Sequence, residues 1–319
     1  MKKILLFSAV TLILFSCQND QTDSSGSEVS AIARRGCATQ EVLEAQLKAD
    51  PMLAIRMNEI EAFTSKQALS NFTGRLVNGK IEIPVVVNVL YRTTAENISA
   101  AQIQTQIDVL NKDFNALNSD YSSVPALFSG VKANVGITFV LDQIIRKTTT
   151  KTSWGTNDAM KKTAQGGLAP TSPTTKLNLW ACTIGGGILG YAQFPGGASA
   201  TDGVVIDPKY FGLSGSANAP YNLGRTATHE VGHWMNLRHI WGDATCGSDL
   251  VSDTPTHNTA NYGVPAYPHY STCSGTPVEM TMNYMDYTDD NAMYMFSTGQ
   301  KARMAAIFAT GGPRAAFGI

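Results

Sequence analysis

Between Ala227 and Asp243 the chain reads A-T-H-E-V-G-H-W-M-N-L-R-H-I-W-G-D, which holds three of its five histidines. His229 and His233 are four residues apart, so a helix would stack them on one face, one turn from each other. Two imidazoles in that relation can share one zinc ion, and Glu230 projects beside them where it can take a proton from water acidified by the metal. A catalytic zinc needs a third protein ligand. His239 can be that ligand only if the helix stops before it, because a continuing helix would carry position 239 away. Asn236 lies in the gap. Asparagine is the non-glycine residue that best tolerates positive φ, so the stretch predicts a helix from about Thr226 that ends in a left-handed turn at Asn236. A continuous helix through His239 would break the three-histidine site.

The remainder of the 319 residues is consistent with one sizeable globular domain, 43% hydrophobic and only 15% charged. A formal net charge of −1 gives no electrostatic pull towards nucleic acid or an anionic membrane surface. Met1-Lys2-Lys3 followed by apolar Ile4 to Phe15 reads as an export signal over residues 1–16, too short for a membrane span. Leu14-Phe15-Ser16-Cys17 resembles a bacterial lipobox, which makes Cys17 the lipidated first mature residue. The polar run after it then serves as a tether over 17–36. The expected location is the outer membrane or cell surface, with secretion after maturation as the alternative, for a monomer that touches membrane only through its lipid.

Periodicity places the elements. Thr39 to Leu47 has helical spacing with a capping-type threonine, and Asp50-Pro51 opens a second helix with Met52, Ile55, Ile60 and Phe63 on or near one face. Asn71 to Lys80 reads as an exposed connector. Ile81 to Tyr91 is a β-branched, covered strand; Ser99 to Phe114 is helical; Val135 to Leu141, Lys176 to Cys182 and Asp202 to Asp207 are strands; a last helix runs from Thr298 to about Phe308. The fold class is therefore α/β (α+β), a twisted mixed sheet with the histidine helix in an upper lobe and an irregular lower lobe. Of the cysteines after Cys17, Cys246 and Cys273 flank a loop-rich segment and are the first candidates for a disulfide, while Cys37 and Cys182 are less obvious partners.

A second signal, Met282-Asn283-Tyr284-Met285-Asp286-Tyr287, has the form of the methionine turn that underlies the zinc in metzincin proteases. With L-N-L-W-A-C-T-I-G-G-G-I-L-G-Y-A-Q-F-P-G-G, D-G-V-V-I-D, H-E-V-G-H-W, S-D-T-P, N-Y-M-D-Y-T-D-D and M-F-S-T-G-Q in that order, the chain from about Ile81 onward resembles the pappalysin family of metzincins, in particular its compact ulilysin-like members. Two departures stand out. Asn236 replaces the glycine of the long zinc motif, and a second disulfide found in related enzymes is missing, since its cysteines would fall near Val264 and at Ala292.

The resemblance implies an exported zinc endopeptidase made as a zymogen and acting on proteins or peptides. His229, His233 and His239 would hold one zinc, Glu230 would be general base and then proton donor, Tyr287 would stabilise the oxyanion or complete the resting metal sphere, and Met285 would form the base beneath the metal. It leaves Cys246–Cys273 as the retained bridge and Cys182 as a buried thiol. Gly190 to Phe194 would be the sheet edge where substrate adds as a strand. Cys37, in Arg34-Arg35-Gly36-Cys37, resembles a latency switch that closes the metal site; a disulfide to Cys182 is the competing reading. Residues 37–75 would then be the latency prosegment, with Gly74-Arg75 the maturation site, and 76–319 the catalytic domain. Family members favour basic residues after the scissile bond, which Asp289 and Asp290 could read. They also hold structural Ca2+ near S-D-T-P, with Asp253 the best single ligand beside Asp243 and Asp249. A non-enzymatic surface binding protein on the same scaffold is the alternative.

Overall fold

In the computed structural model of the chain, residues 34–317 are described; the expected export signal and Cys17 lie outside them. A five-stranded sheet is built from β1 (Ile81–Tyr91), β2 (Ile137–Thr148), β3 (Leu177–Ala181), β4 (Gly190–Ala192) and β5 (Val204–Ile206), in the order β2-β1-β3-β5-β4. All neighbours are parallel except β4, which runs antiparallel to β5 and forms the edge beside the histidines. β1 sits between two parallel neighbours and from Val85 to Leu90 is buried on both faces, which is why it reads as an apolar run interrupted only by Asn88. β2 extends beyond the expected Leu141 to Thr148, since its outer half is an edge in which Ile144 and Ile145 are half-buried among mostly exposed polar residues, without the alternation that marks a strand.

The helices are α1 (Thr39–Ala49), α2 (Met52–Gln67), α3 (Ala100–Asp113), α4 (Arg225–Trp234) and α5 (Thr298–Ala306). Ser99 caps α3 by accepting from the Gln102 backbone N–H, and Ser297 with Gln300 forms a reciprocal capping box at α5. Two expectations about the first helices are corrected. Thr39 is inside α1 and its hydroxyl is not a cap, having been drawn to Glu230. Met52 and Ile55 face solvent on α2, while Ile60 and Phe63 are half-buried and the residues it buries fully are Leu53 and Thr64, because α2 lies on the domain surface.

All ten residues of α4 are buried. Its amino end is fixed by Arg225, which binds the Asp120 carboxylate at 2.6 and 2.8 Å and the Asp290 carbonyl at 2.6 Å. At the other end Arg314 stacks 3.8 Å from the Trp234 ring and pairs with both oxygens of Asp202, whose Oδ2 also accepts from the Trp234 indole. The irregular segment after α4 is closed by the Cys246–Cys273 disulfide, which spans 27 residues. Replacing both cysteines by serine is expected to cost about 3 kcal/mol of stability through loop-closure entropy. Equilibrium unfolding in urea measures it, and an unchanged midpoint would show that the loop is ordered without the bridge.

Candidate active site

Helix α4 stops where the histidines require it to. Asn236 lies at φ 71°, its N–H donates to the His233 carbonyl at 2.9 Å, and the Leu237 N–H donates to the Gly232 carbonyl at 3.0 Å. That pair of bonds is the Schellman termination, with asparagine in the left-handed position usually held by glycine. The chain then turns back and brings His239 to the other two imidazoles. The three Nε2 atoms converge, His233 lying 3.1 Å from His229 and 3.0 Å from His239.

The tautomers follow from the far side of each ring. His229 Nδ1 meets the Tyr284 carbonyl at 2.7 Å, His233 Nδ1 the Leu237 carbonyl at 2.8 Å, and His239 Nδ1 the Asp243 carboxylate at 2.5 Å. Each Nδ1 must carry the proton, so three Nε2 lone pairs face one another with no hydrogen among them. Burial and the neighbouring imidazoles hold His229 and His233 well below the usual imidazole range, so protonation does not relieve the crowding. A borderline-soft cation does, and a set of neutral imidazoles whose rings are oriented by oxygen acceptors is the donor set zinc takes. Among the described residues, Cys37, His229, His233 and His239 bring their donor atoms within 4.8 Å of one another.

The segment around Cys37 lies along β4. The Leu189 N–H donates to the Gly36 carbonyl at 2.8 Å and the Ala38 N–H to the Gly190 carbonyl at 3.2 Å, a parallel pairing at the sheet edge where a substrate strand was expected. The Cys37 thiol donates to Glu230 Oε2 at 3.5 Å, and the Thr39 hydroxyl donates to the same oxygen at 2.8 Å. Burial pushes the Glu230 carboxyl up to about 7. Gly190 makes room for it, since a Cβ there would stand 3.1 Å from the Glu230 Cγ. The Tyr287 hydroxyl donates to the Cys37 carbonyl at 3.2 Å.

Arg35 enters a buried pocket beside α4. Its guanidinium donates to Asp290 Oδ1 at 2.5 Å and to the Thr288 carbonyl at 3.1 Å, and lies 4.8 Å from the centre of the Tyr221 ring. Asp290 Oδ2 is held by the backbone N–H groups of Leu223 and Arg225 at 2.8 and 3.3 Å. Residues 34–36, expected to close the polar tether, are among the described residues, and Arg35 is buried in this pocket. Cys182 and Cys37 are both free, with Cys182 buried in a separate cluster with Trp154, Trp180 and Tyr191, so the alternative Cys37–Cys182 disulfide is not formed.

Met285 is fully buried beneath α4, and Gly232 is what admits it, because a Cβ at Gly232 would stand 2.5 Å from the Met285 sulfur. The other expected cluster does not gather. Asp243 orients His239, Asp249 accepts from the Thr254 hydroxyl, and Asp253 accepts from the Ser297 hydroxyl and the Gly299 N–H at the start of α5. Asp243, Thr39 and Trp241, whose indole stacks on His239 at 4.3 Å, are site residues whose roles the sequence alone did not reveal. The spacing of Asp243, four residues after His239, was the available signal.

An active-site helix that ends where the third imidazole must return, with a methionine packed under it, places the chain among the metzincin metalloendopeptidases. The family described as Pregnancy-associated plasma protein-A (Peptidase_M43) matches residues 181–309. An extracellular metalloprotease of Pyricularia oryzae is 31% identical over 298 residues, covering 89% of this chain and 93% of that protein. Extracellular metalloprotease 1 of Coccidioides posadasii is 33% identical over 237 residues, 72% and 78% of the two chains. Mature mirolysin of Tannerella forsythia, solved with a cleaved peptide, superposes with a TM-score of 0.73 at 43% identity, covering 75% of this chain and 96% of that one. A promirolysin mutant from the same organism has a TM-score of 0.81 at 38% identity, covering 89% and 97%. The chain belongs to the pappalysin family.

Proposed function

We propose that the chain is the zymogen of a zinc endopeptidase whose prosegment blocks the cleft with Cys37 and fills the pocket beside α4 with Arg35. The observation that carries the reading is the convergence of three outward-bonded imidazoles with a buried thiol and Glu230. A zinc ion held by the three Nε2 atoms would supply the Lewis acidity that acidifies a water and polarises the scissile carbonyl. Glu230 takes the proton of the attacking water and returns it to the leaving nitrogen. The Tyr287 hydroxyl donates to the scissile carbonyl, the place now taken by the carbonyl of Cys37 at 3.2 Å. Met285 supports the histidines from below. Structural calcium near Asp253 is kept as part of the proposal; its carboxylate accepts from the Ser297 hydroxyl and the Gly299 N–H at the amino end of α5.

The processed protein is expected to digest casein into internally cut peptides identifiable by mass spectrometry. Cleavage confined to chain ends, or none, would favour an exopeptidase or the non-enzymatic binding protein. The connector at Gly74-Arg75 is the proposed maturation site, since Arg75 is exposed and Gly74 half-buried. Export with lipidation of Cys17 is retained as a proposal, and radiolabelled palmitate tests it; an unlabelled protein would refute it.

Preference for a basic residue after the scissile bond rests on Arg35, which already occupies the Asp290 pocket. Asp289 is not the carboxylate that pairs with it. Asp290→Asn is expected to lower kcat/KM for arginine in that position about 100-fold, since it removes one partner of a buried charge pair, with a much smaller change for leucine. Equal losses on both peptides would mean that the substitution damages α4 and does not alter recognition.

A further inference from the structure

Helix α2 is remote from the metal cluster in its contacts, yet it is fastened to the turn that delivers the third histidine. Both carboxylate oxygens of Glu61 take the Arg303 guanidinium, at 2.7 and 2.8 Å. The same guanidinium donates to the Asn236 carbonyl and to the Leu250 carbonyl, each at 3.3 Å. The Asn236 side-chain amide donates to the Thr64 hydroxyl at 3.4 Å, and Thr64 is fully buried. About two turns earlier in α2, Arg56 donates to the Gly196 carbonyl at 2.8 Å. Gly196, at φ 97°, leaves a cradle in which a Cβ would sit 3.0 Å from Ile60 and 3.7 Å from Leu53. A glycine at position 236 could not make the bond to Thr64, so the asparagine both turns the chain and binds the prosegment.

Apart from the Gly196 cradle these contacts are polar and directional, and α2 buries only Leu53 and Thr64 fully. Such a helix suits reversible docking better than permanent membership of a core. We propose that the face formed by Asn236, Arg303 and Gly196 is a second prosegment-binding site on the catalytic domain, separate from the cleft, whose ligand is α2. The inference rests on the zymogen reading but adds a consequence. A cut at the exposed connector near Arg75 leaves α2 docked, so cleavage and release are distinct steps. Prosegment that has been cut but not released keeps the cleft covered.

The full-length protein, nicked by limiting trypsin and checked by mass for the cut after Arg75, tests this. Native mass spectrometry then follows how fast the prosegment leaves the complex. The parent is expected to retain it, and Glu61→Ala to lose it about tenfold faster or more, since a bidentate, half-buried ion pair is removed. Thr64→Val, which keeps the shape and removes the acceptor for Asn236, is expected to accelerate release several-fold. Both substitutions lie in the prosegment and leave the catalytic domain's own bonds intact. Release at the parent rate in both variants would overturn the proposal. Activity of the uncut parent, measured in parallel, would refute the zymogen reading, while the release rates would still judge the docking site separately.

Discussion

Glu230→Gln is expected to lower kcat/KM for an internal peptide bond about 10³- to 10⁴-fold while the processed protein keeps its zinc and its melting temperature. Glutamine matches the shape of the side chain and cannot accept a proton from water. The partners of Glu230 Oε2 are Cys37 and Thr39, both in the prosegment, so the processed domain loses no internal hydrogen bond to that oxygen. The three imidazoles are oriented by Tyr284, Leu237 and Asp243, none of which depends on Glu230. A steady-state assay beside a zinc determination separates chemistry from binding. A rate within tenfold of the parent would remove Glu230 from the mechanism.

Cys37→Ala carries the second large effect. The thiol is tethered at the metal cluster, where a covalent link gives it an effective concentration of roughly millimolar or more. Its loss is expected to raise the activity of the uncut chain about 100-fold on that basis, followed by self-conversion. Latency should not vanish at once, because Arg35 stays in the Asp290 pocket and the backbone stays paired with β4. Uncut protein is assayed with a short peptide and checked by gel for the absence of processing. Unchanged latency in Cys37→Ala would assign inhibition to the Arg35 and α2 contacts alone.

The parts of this site that were legible in the sequence are those set by local geometry. The four-residue spacing of His229 and His233, and the need to end a helix before His239, are properties of one short stretch, and Asn236 at φ 71° is the direct result. Strands β1, β3 and β5 were legible because burial on both faces leaves an apolar run. Contacts between residues far apart in the chain were not. Arg35 meets Asp290 across 255 positions, and Glu61 meets Arg303 across 242. A carboxylate in a turn has the same local appearance whether it caps a helix or binds a guanidinium, which is why the sequence names Asp289 and Asp290 together although Asp290 is the one that pairs with Arg35. Apolar spacing marks the inward face of α2 only in part, since Met52 and Ile55 are exposed, Ile60 and Phe63 are half-buried, and Arg56 and Glu61 supply the polar anchors. Thr39 looked like a cap because threonine before a helical run usually is one.

The central claim, that His229, His233 and His239 hold one zinc ion on which peptide hydrolysis depends, is tested most directly by titrating metal-free processed enzyme with zinc. Bound metal and peptide cleavage are read on the same samples. The account predicts that activity rises linearly and reaches its plateau at one zinc per chain, with His239→Ala failing to recover under the same titration. Full hydrolysis by the metal-free enzyme, or an undiminished plateau in His239→Ala, would contradict it.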